Sequence, residues 1–210
     1  GGTLTEYNKK EALNVKGVKA VVPIPSQQVV LKKYPEAIAV VATSNWQALK
    51  GMEVLNPIFK GGDTLNLSSN KIEKIFKQEI NKIKFPEKNV SKSTFEVEYD
   101  TPLYAHTTLE PLNFTVNYTD NLCEVWGPTQ SQTDLEFYIK ELTGFSSDKI
   151  KINITSIGGS FGIKQTFDAL VQAITISKSI KKPIQVMWTR EQEIQNSYPM
   201  QMNKNKIRIS

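Results

Sequence analysis

Residues 151–173 read KINITSIGGSFGIKQTFDALVQA, and the order of patterns in this stretch decides the fold class. Extended back by one residue, IKINITSI at 150–157 alternates apolar and polar side chains, as a half-buried strand does. Gly158, Gly159 and Gly162 then form a glycine-rich turn, where a missing Cβ permits positive φ and a close approach to a ligand. Over 166–180 the apolar residues Phe167, Leu170, Val171, Ile174 and Ile180 recur at helical spacing. A helix following such a turn would offer unsatisfied N–H groups and a partial positive end, suited to an anion such as phosphate. The loop is not a Walker A sequence, because the Lys-Ser/Thr pair is missing, and it is not G-x-G-x-x-G. Spacing alone leaves a ligand site and a tight structural turn equally open.

Working outward, GVKAVVPIP at 17–25 and AIAVVAT at 37–43 are β-branched runs that predict buried strands. Ser44 and Gln47 have capping-box spacing and predict a short helix through Leu49 that stops at Gly51. Ile72, Ile75, Phe76 and Ile83 mark one side of a helix over 70–83. The polar, proline-broken run 85–93, FPEKNVSKS, suggests a boundary that divides the chain into 1–88 and 89–210. Beyond it, 95–99, 114–118 and 122–126 are strand-like, and the turn at 118–121 predicts that the last two form a hairpin. Thr133 and Glu136 suggest a capping box for a helix over 133–142, ended by Gly144. A strand at 184–188 follows. The alternation at 206–210 looks like the opening of another strand whose partner would come later, a first hint of a longer protein. Strands and helices mixed in this order make an α+β fold.

Composition removes several function classes. The 210 residues carry 39% hydrophobic and 22% charged side chains, ordinary for a globular chain. The net charge of +5 is almost all lysine, since Arg190 and Arg208 are the only arginines, and the lysines are interspersed with glutamates. Nucleic-acid readers concentrate charge on one face and favour arginine, so that partner is not expected. The longest apolar run, 37–42, is too short to span a bilayer. No export signal opens the sequence, which leaves cytoplasmic and periplasmic locations both open. Cys123 and His106 are each the only residue of their kind, so an internal disulfide, a cysteine or histidine metal cluster and a Ser-His-Asp triad are not expected. The Asn-x-Ser/Thr triplets read as chance in a chain rich in these residues.

Five segments, in order, resemble one family. GGSFGIK at 158–164 looks like the GGGFG-type loop of the molybdopterin-binding large subunits of the xanthine oxidase/aldehyde oxidase family. AHTTLEPLN at 105–113 is similar to its H-x-x-[LM]-E-P segment, and CEVWGPTQSQ at 123–132 to its W-x-x-T-Q segment. PIQVMWTREQEI at 183–194 resembles its W-[ST]-R-E strand, and the two runs at 17–25 and 37–51 resemble the tail of its hammerhead domain. Among the branches, the pattern most resembles the isoquinoline 1-oxidoreductase beta subunit. The resemblance implies a C-terminal part of a hammerhead-like domain with a linker helix over 1–88. Over 89–210 it implies the first segment of a molybdopterin-binding domain.

By the same resemblance, Gln130, Gly159, Ser160, Phe161 and Gly162 would approach the cofactor, with Phe161 and Gln165 in the substrate pocket. Ser160 stands where a third glycine is common, and Gln165 where purine-oxidising members carry an acid, which favours an aldehyde or an N-heterocycle. The family's catalytic glutamate lies in a later glycine-rich segment that this sequence lacks, so no catalytic residue is assigned. The metal is held by the pterin dithiolene, so no protein ligand is assigned either. Implied partners are the remainder of the large subunit, an iron–sulfur subunit and, optionally, an FAD subunit. The alternative is a non-catalytic phosphate- or nucleotide-binding or assembly module using the loop from Gly158 to Gly162. His106, Glu110, Arg190, Glu191 and Glu193 read as structural, with Glu110 holding neighbouring backbone. Trp126 and Trp188 read as core.

Overall fold

The computed structural model describes residues 2–62, 64–85 and 94–209, so all but Phe85 of the expected boundary run 85–93 lies outside the described residues. The elements in chain order are β1 (Thr3–Glu6), α1 (Lys9–Asn14), β2 (Val18–Ile24), β3 (Gln27–Val29), β4 (Lys32–Tyr34), β5 (Ala37–Ala42), α2 (Asn45–Leu55), β6 (Ile58–Lys60) and α3 (Ser69–Ile80). They continue as β7 (Phe95–Thr101), β8 (Asn113–Tyr118), β9 (Cys123–Gly127), α4 (Gln132–Thr143), β10 (Ile150–Ile154), α5 (Asp168–Ile180), β11 (Ile184–Met187), α6 (Arg190–Asn196) and β12 (Asn203–Ile209).

The central sheet has the order β10-β9-β8-β11, with β9 and β10 parallel and the other pairs antiparallel. The expected hairpin between β8 and β9 is present, closed by Thr119 N–H donating to the Leu122 carbonyl. Inward-facing Phe114, Val116, Cys123 and Val125 meet Leu135 and Ile139 of α4 and Leu170 and Ile174 of α5 in one core. Each large apolar side chain fully removed from water there contributes about 1.5–3 kcal/mol. Burial also pushes the Cys123 thiol up to about 11, so it stays protonated and unreactive at neutral pH. The opposite flank of α5 carries Ile176, which packs with Val22 and Ile24 of the β2–β5 pair. α5 is therefore apolar on more than one side because it lies between two sheets.

Several boundaries differ from the sequence expectation, each for a local reason. α2 does not stop at Gly51 but runs to Leu55 and ends at Asn56 in the left-handed region, φ 44°. Gly51 is buried, and a Cβ there would lie 2.7 Å from Val40 and 2.9 Å from Val18. The glycine lets the helix press on the β2–β5 pair; it is not a terminator. Gly51→Ala is accordingly expected to destabilise the chain by about 1–3 kcal/mol through overpacking, despite alanine's better helix propensity. An unchanged or raised denaturation midpoint would contradict that.

α4 starts one residue early, behind Ser131, whose hydroxyl bonds Asp134, so the Thr133–Glu136 capping box does not form. Gly144 does end it, at φ 73°. β10 stops at Ile154, and α5 starts at Asp168 because the 3-10 turn Ile163–Gln165 intervenes. β12 needs no later partner: it pairs antiparallel with β7, from Asn203 opposite Thr101 to Ile209 opposite Phe95. That pairing cancels the inference drawn from an unpartnered terminal strand, because strand partners need not be near in sequence.

Candidate functional site

The glycine-rich loop 158–162 is held against the segment 105–113, and Glu110 makes most of the join. Its Oε2 accepts the Gly158 N–H at 2.8 Å and pairs with Lys164 Nζ at 3.1 Å. Its Oε1 accepts from Asn113 Nδ2 at 3.0 Å, and its own N–H donates to the Gly158 carbonyl at 3.0 Å. The two segments touch so closely that a Cβ on Gly158 would sit 2.5 Å from Glu110 Cβ. Here glycine is required by space, not by φ.

Lys164 is the least expected residue of the site. Its side chain is 1% exposed, yet its ammonium has three acceptors: Glu110 Oε2 and the carbonyls of Glu110 at 2.8 Å and Pro111 at 3.3 Å. An ammonium so enclosed is tolerable only with such partners. Partial burial alone would raise the Glu110 carboxyl. The hydrogen bonds from Gly158, Asn113 and Lys164 outweigh it and hold the group below its ordinary value. Glu110 is thus a structural carboxylate, as its sequence context suggested, and not a poised base.

The far end of the segment is held by α6. Arg190 pairs with Glu193 at 2.8 Å and donates to the Thr108 carbonyl, while Glu193 Oε2 accepts the Leu112 N–H at 3.3 Å. Of the residues read as structural, Glu193 is buried and makes the ion pair with Arg190, whereas Glu191 is exposed. Thr189 and Gln192 close a reciprocal capping box that orients Arg190 at the helix start.

Between these clamps the loop itself is left with unused donors. Gly159, Phe161 and Gly162 have φ of 90°, 53° and 102°. Among the described residues, the N–H groups of Gly159, Ser160, Phe161 and Gly162 meet no acceptor, whereas those of Gly158, Ile163, Gln165 and Thr166 are all engaged. Ser160 Oγ is one of two buried side-chain polar atoms without a partner among those residues, and His106 Nδ1 is the other. Successive N–H groups in a turn that alternates between right- and left-handed backbone can form a concavity for anions. Helix α5 adds nothing to it directly, since it begins six residues after Gly162 with Asp168 paired to Lys32.

The other expected positions are distributed around this loop. Phe161, 66% exposed, and Gly162 line a cleft of about 510 Å³ together with His106. Gly159, Ser160, Gln130 and Gln165 are not part of that lining. Gln130 is exposed at the end of the segment after β9, and its N–H donates to the Lys164 carbonyl at 3.2 Å, three residues from Phe161. The buried Thr129 hydroxyl bonds the same carbonyl at 3.3 Å. Gln165 is exposed, its N–H engaged by Gly162. Among the described residues no group of three or more His, Cys, Asp or Glu could hold a metal ion. Nor is any helix among them long and apolar enough to cross a membrane. Sequence reasoning missed Lys164 and Thr129. The clue available was a lysine set directly between a glycine loop and a buried helix start.

A family model described as the molybdopterin cofactor-binding domain matches residues 67–210. Among curated proteins, isoquinoline 1-oxidoreductase subunit beta of Brevundimonas diminuta is 28% identical over 114 residues, covering 54% of this chain and 14% of that protein. Xanthine dehydrogenase of Emericella nidulans is 30% identical over 80 residues, 37% of this chain and 6% of that protein. Among solved structures, quinoline 2-oxidoreductase from Pseudomonas putida covers 99% of this chain at TM-score 0.69 and 11% identity. The aldehyde oxidoreductase from Desulfovibrio gigas covers 99% at TM-score 0.65 and 15% identity. At those identities the structural likeness speaks for the fold alone. The chain spans 32% and 28% of those two structures, and far less of the curated relatives.

Proposed function

The chain belongs to the molybdopterin cofactor-binding domain family, and from that premise we propose that it forms part of the catalytic subunit of a molybdenum hydroxylase. The whole subunit would oxidise aldehydes or N-heterocycles with oxygen drawn from water. In this reading, residues 1–88 are the end of a hammerhead-like domain with its linker helix, and 89–210 open the cofactor domain.

The observation that carries the reading is the unused donor set of the loop. Four N–H groups and the Ser160 hydroxyl, with little side-chain bulk around them, fit an oxygen-rich anionic group such as the pterin phosphate or the oxo-bearing centre. Bound there, molybdopterin would supply the redox centre. The chain's own part is to donate these hydrogen bonds and to hold the loop rigid through Glu110 and Lys164. Gln130 would offer a neutral amide that both donates and accepts without adding charge. Phe161 presents a flat apolar wall, and uncharged Gln165 suits an uncharged substrate better than a cationic one. The proton-accepting glutamate lies outside this chain. Electrons would leave through an iron–sulfur subunit and, optionally, an FAD subunit.

A non-catalytic phosphate- or nucleotide-binding role would use the same N–H groups. It draws no support from α5, whose first turn carries Asp168.

The test is metal analysis. The chain alone is expected to retain no molybdenum, because it supplies only one wall of the site. Assembled with the remainder of such a subunit, it is expected to hold close to one molybdenum per subunit, and Gly159→Val with Gly162→Val to lower that at least about tenfold by forcing β-branched residues to positive φ. Full occupancy in the double variant, or near one molybdenum on the isolated chain, would refute the assignment.

A further inference from the structure

We propose that the cleft between β5 and β11 is a slot for one extended, uncharged strand from another part of the same subunit, joining the two sheets through main-chain hydrogen bonds. The inference rests on the reading of this chain as part of a longer subunit, and names where the remainder grips it. β5 ends the β2–β5 pair and β11 ends the four-stranded sheet. One cleft of about 550 Å³ is lined by every residue of Ala37–Ala42 and every residue of Ile184–Met187. Successive side chains of a strand point to opposite faces, so a cleft that touches all of them meets the strand along its edge. Of the next strands inward, only Ile24 of β2 reaches the cleft, and no residue of β8 does. Among the described residues, the backbone of β5 hydrogen-bonds only to β2 and that of β11 only to β8. Two bare edges border one gap.

Strand edges left in water are usually guarded by charge, proline or a bulge. β5 reads AIAVVA and β11 reads IQVM, with no charge and no proline in either. The floor of the cleft is α5, through Val171 and Ile176, and Ile176 already clusters with alternate residues of both edges, Ala37, Ala39 and Val41 on one side and Ile184 and Val186 on the other. The opposite face of β5, Ile38 and Val40, meets Met52 of α2, which lines the cleft as well. A strand inserted here is covered on both faces, so it should read as a near-continuous aliphatic run of about five residues rather than an alternating one. Lying about 4.8 Å from each neighbour, it would make one sheet of order β10-β9-β8-β11-insert-β5-β2. The longer strands of this chain with a free edge do not suit: β7, β10 and β12 carry Glu96, Lys151 and Lys206 among their residues, and burying such charges unpaired is costly. A second copy is therefore not the occupant. The chain spans 32% and 28% of two structures that share its fold, so most of such a subunit is available to supply the strand.

Amide hydrogen exchange tests the slot directly. In the dilute isolated chain, about half of the amides in 38–42 and 184–187, those aimed into the gap, are expected to exchange fast. In the chain assembled with the remainder of the subunit, the same amides should slow at least about hundredfold. Met187 is 44% exposed on the rim, so Met187→Glu should leave the melting temperature of the isolated chain unchanged. In the assembled subunit the stranded carboxylate should cut the protection of 184–187 about tenfold, whereas Met187→Leu should keep it. Slow exchange in the dilute isolated chain would mean that the edges are not free. Protection that appears in the isolated chain only as its mass doubles at high concentration would make a second copy the occupant. Either result, failure of the remainder to associate, or full protection in the Met187→Glu subunit would overturn the proposal. Molybdenum in an assembled subunit whose slot amides still exchange fast would sink this inference alone, and protection without molybdenum would sink only the reading on which it rests.

Discussion

Replacing Arg190 with methionine is expected to destabilise the chain by about 3–5 kcal/mol, the range for stranding one partner of a buried ion pair. Glu193 is 1% exposed, and without the guanidinium its carboxylate keeps, among the described residues, only the Leu112 N–H as a donor. The same change releases the carbonyl of Thr108, to which Arg190 also donates. A drop of roughly 10 °C in melting temperature follows for a chain of this size. Methionine fills similar volume, so lost packing contributes little. The double variant with Glu193→Gln should recover a substantial part of the loss, because the stranded charge is gone. A single variant within about 0.5 kcal/mol of the parent, or no recovery in the double, would show that the pair is not the clamp described here.

Glu110→Ala is expected to cost about 3 kcal/mol, the lower end of the same range, because Lys164 keeps two carbonyl acceptors. It also strips the Gly158 N–H of its acceptor, so amide exchange at Gly158 and its loop neighbours should accelerate before global unfolding. The linkage has a definite sign. The Glu110 carboxyl is held below its ordinary value in the folded chain, so its stabilisation is present above the unfolded value and is lost as pH falls through the lower folded one. Glu110→Gln should therefore flatten the acid limb of the stability curve as well as lowering its plateau. An acid limb identical to that of the parent would remove Glu110 from the account.

Much of the architecture was legible in the residues. Alternation in 114–118 and 122–126 with a turn between them predicted the β8–β9 hairpin, because the period of two and the turn chemistry are local properties. Phe167, Leu170, Val171 and Ile174 predicted α5 for the same kind of reason. Gly51 was misread because a helix-ending glycine and a close-packing glycine look alike in one dimension; only Val18 and Val40, brought in from β2 and β5, separate them. The partner of β12 was invisible because β7 lies about a hundred residues upstream, and no local pattern encodes that register.

At the site, the sequence alone determined that a glycine-rich bend would link a strand to a helix and that Glu110 would hold backbone. Counts also left no histidine cluster and no internal disulfide within these residues, and run lengths left no apolar stretch long enough for a membrane-crossing helix. Those conclusions follow from covalent and short-range constraints, which a string of residues carries in full. Tertiary structure alone decided that Lys164 is buried on Glu110, that four loop N–H groups are left over, and that His106 and Phe161 share a cleft while Gln130 stands outside it. Whether a polar group is buried, paired or free depends on which distant segments crowd around it, and that is settled only when the chain packs.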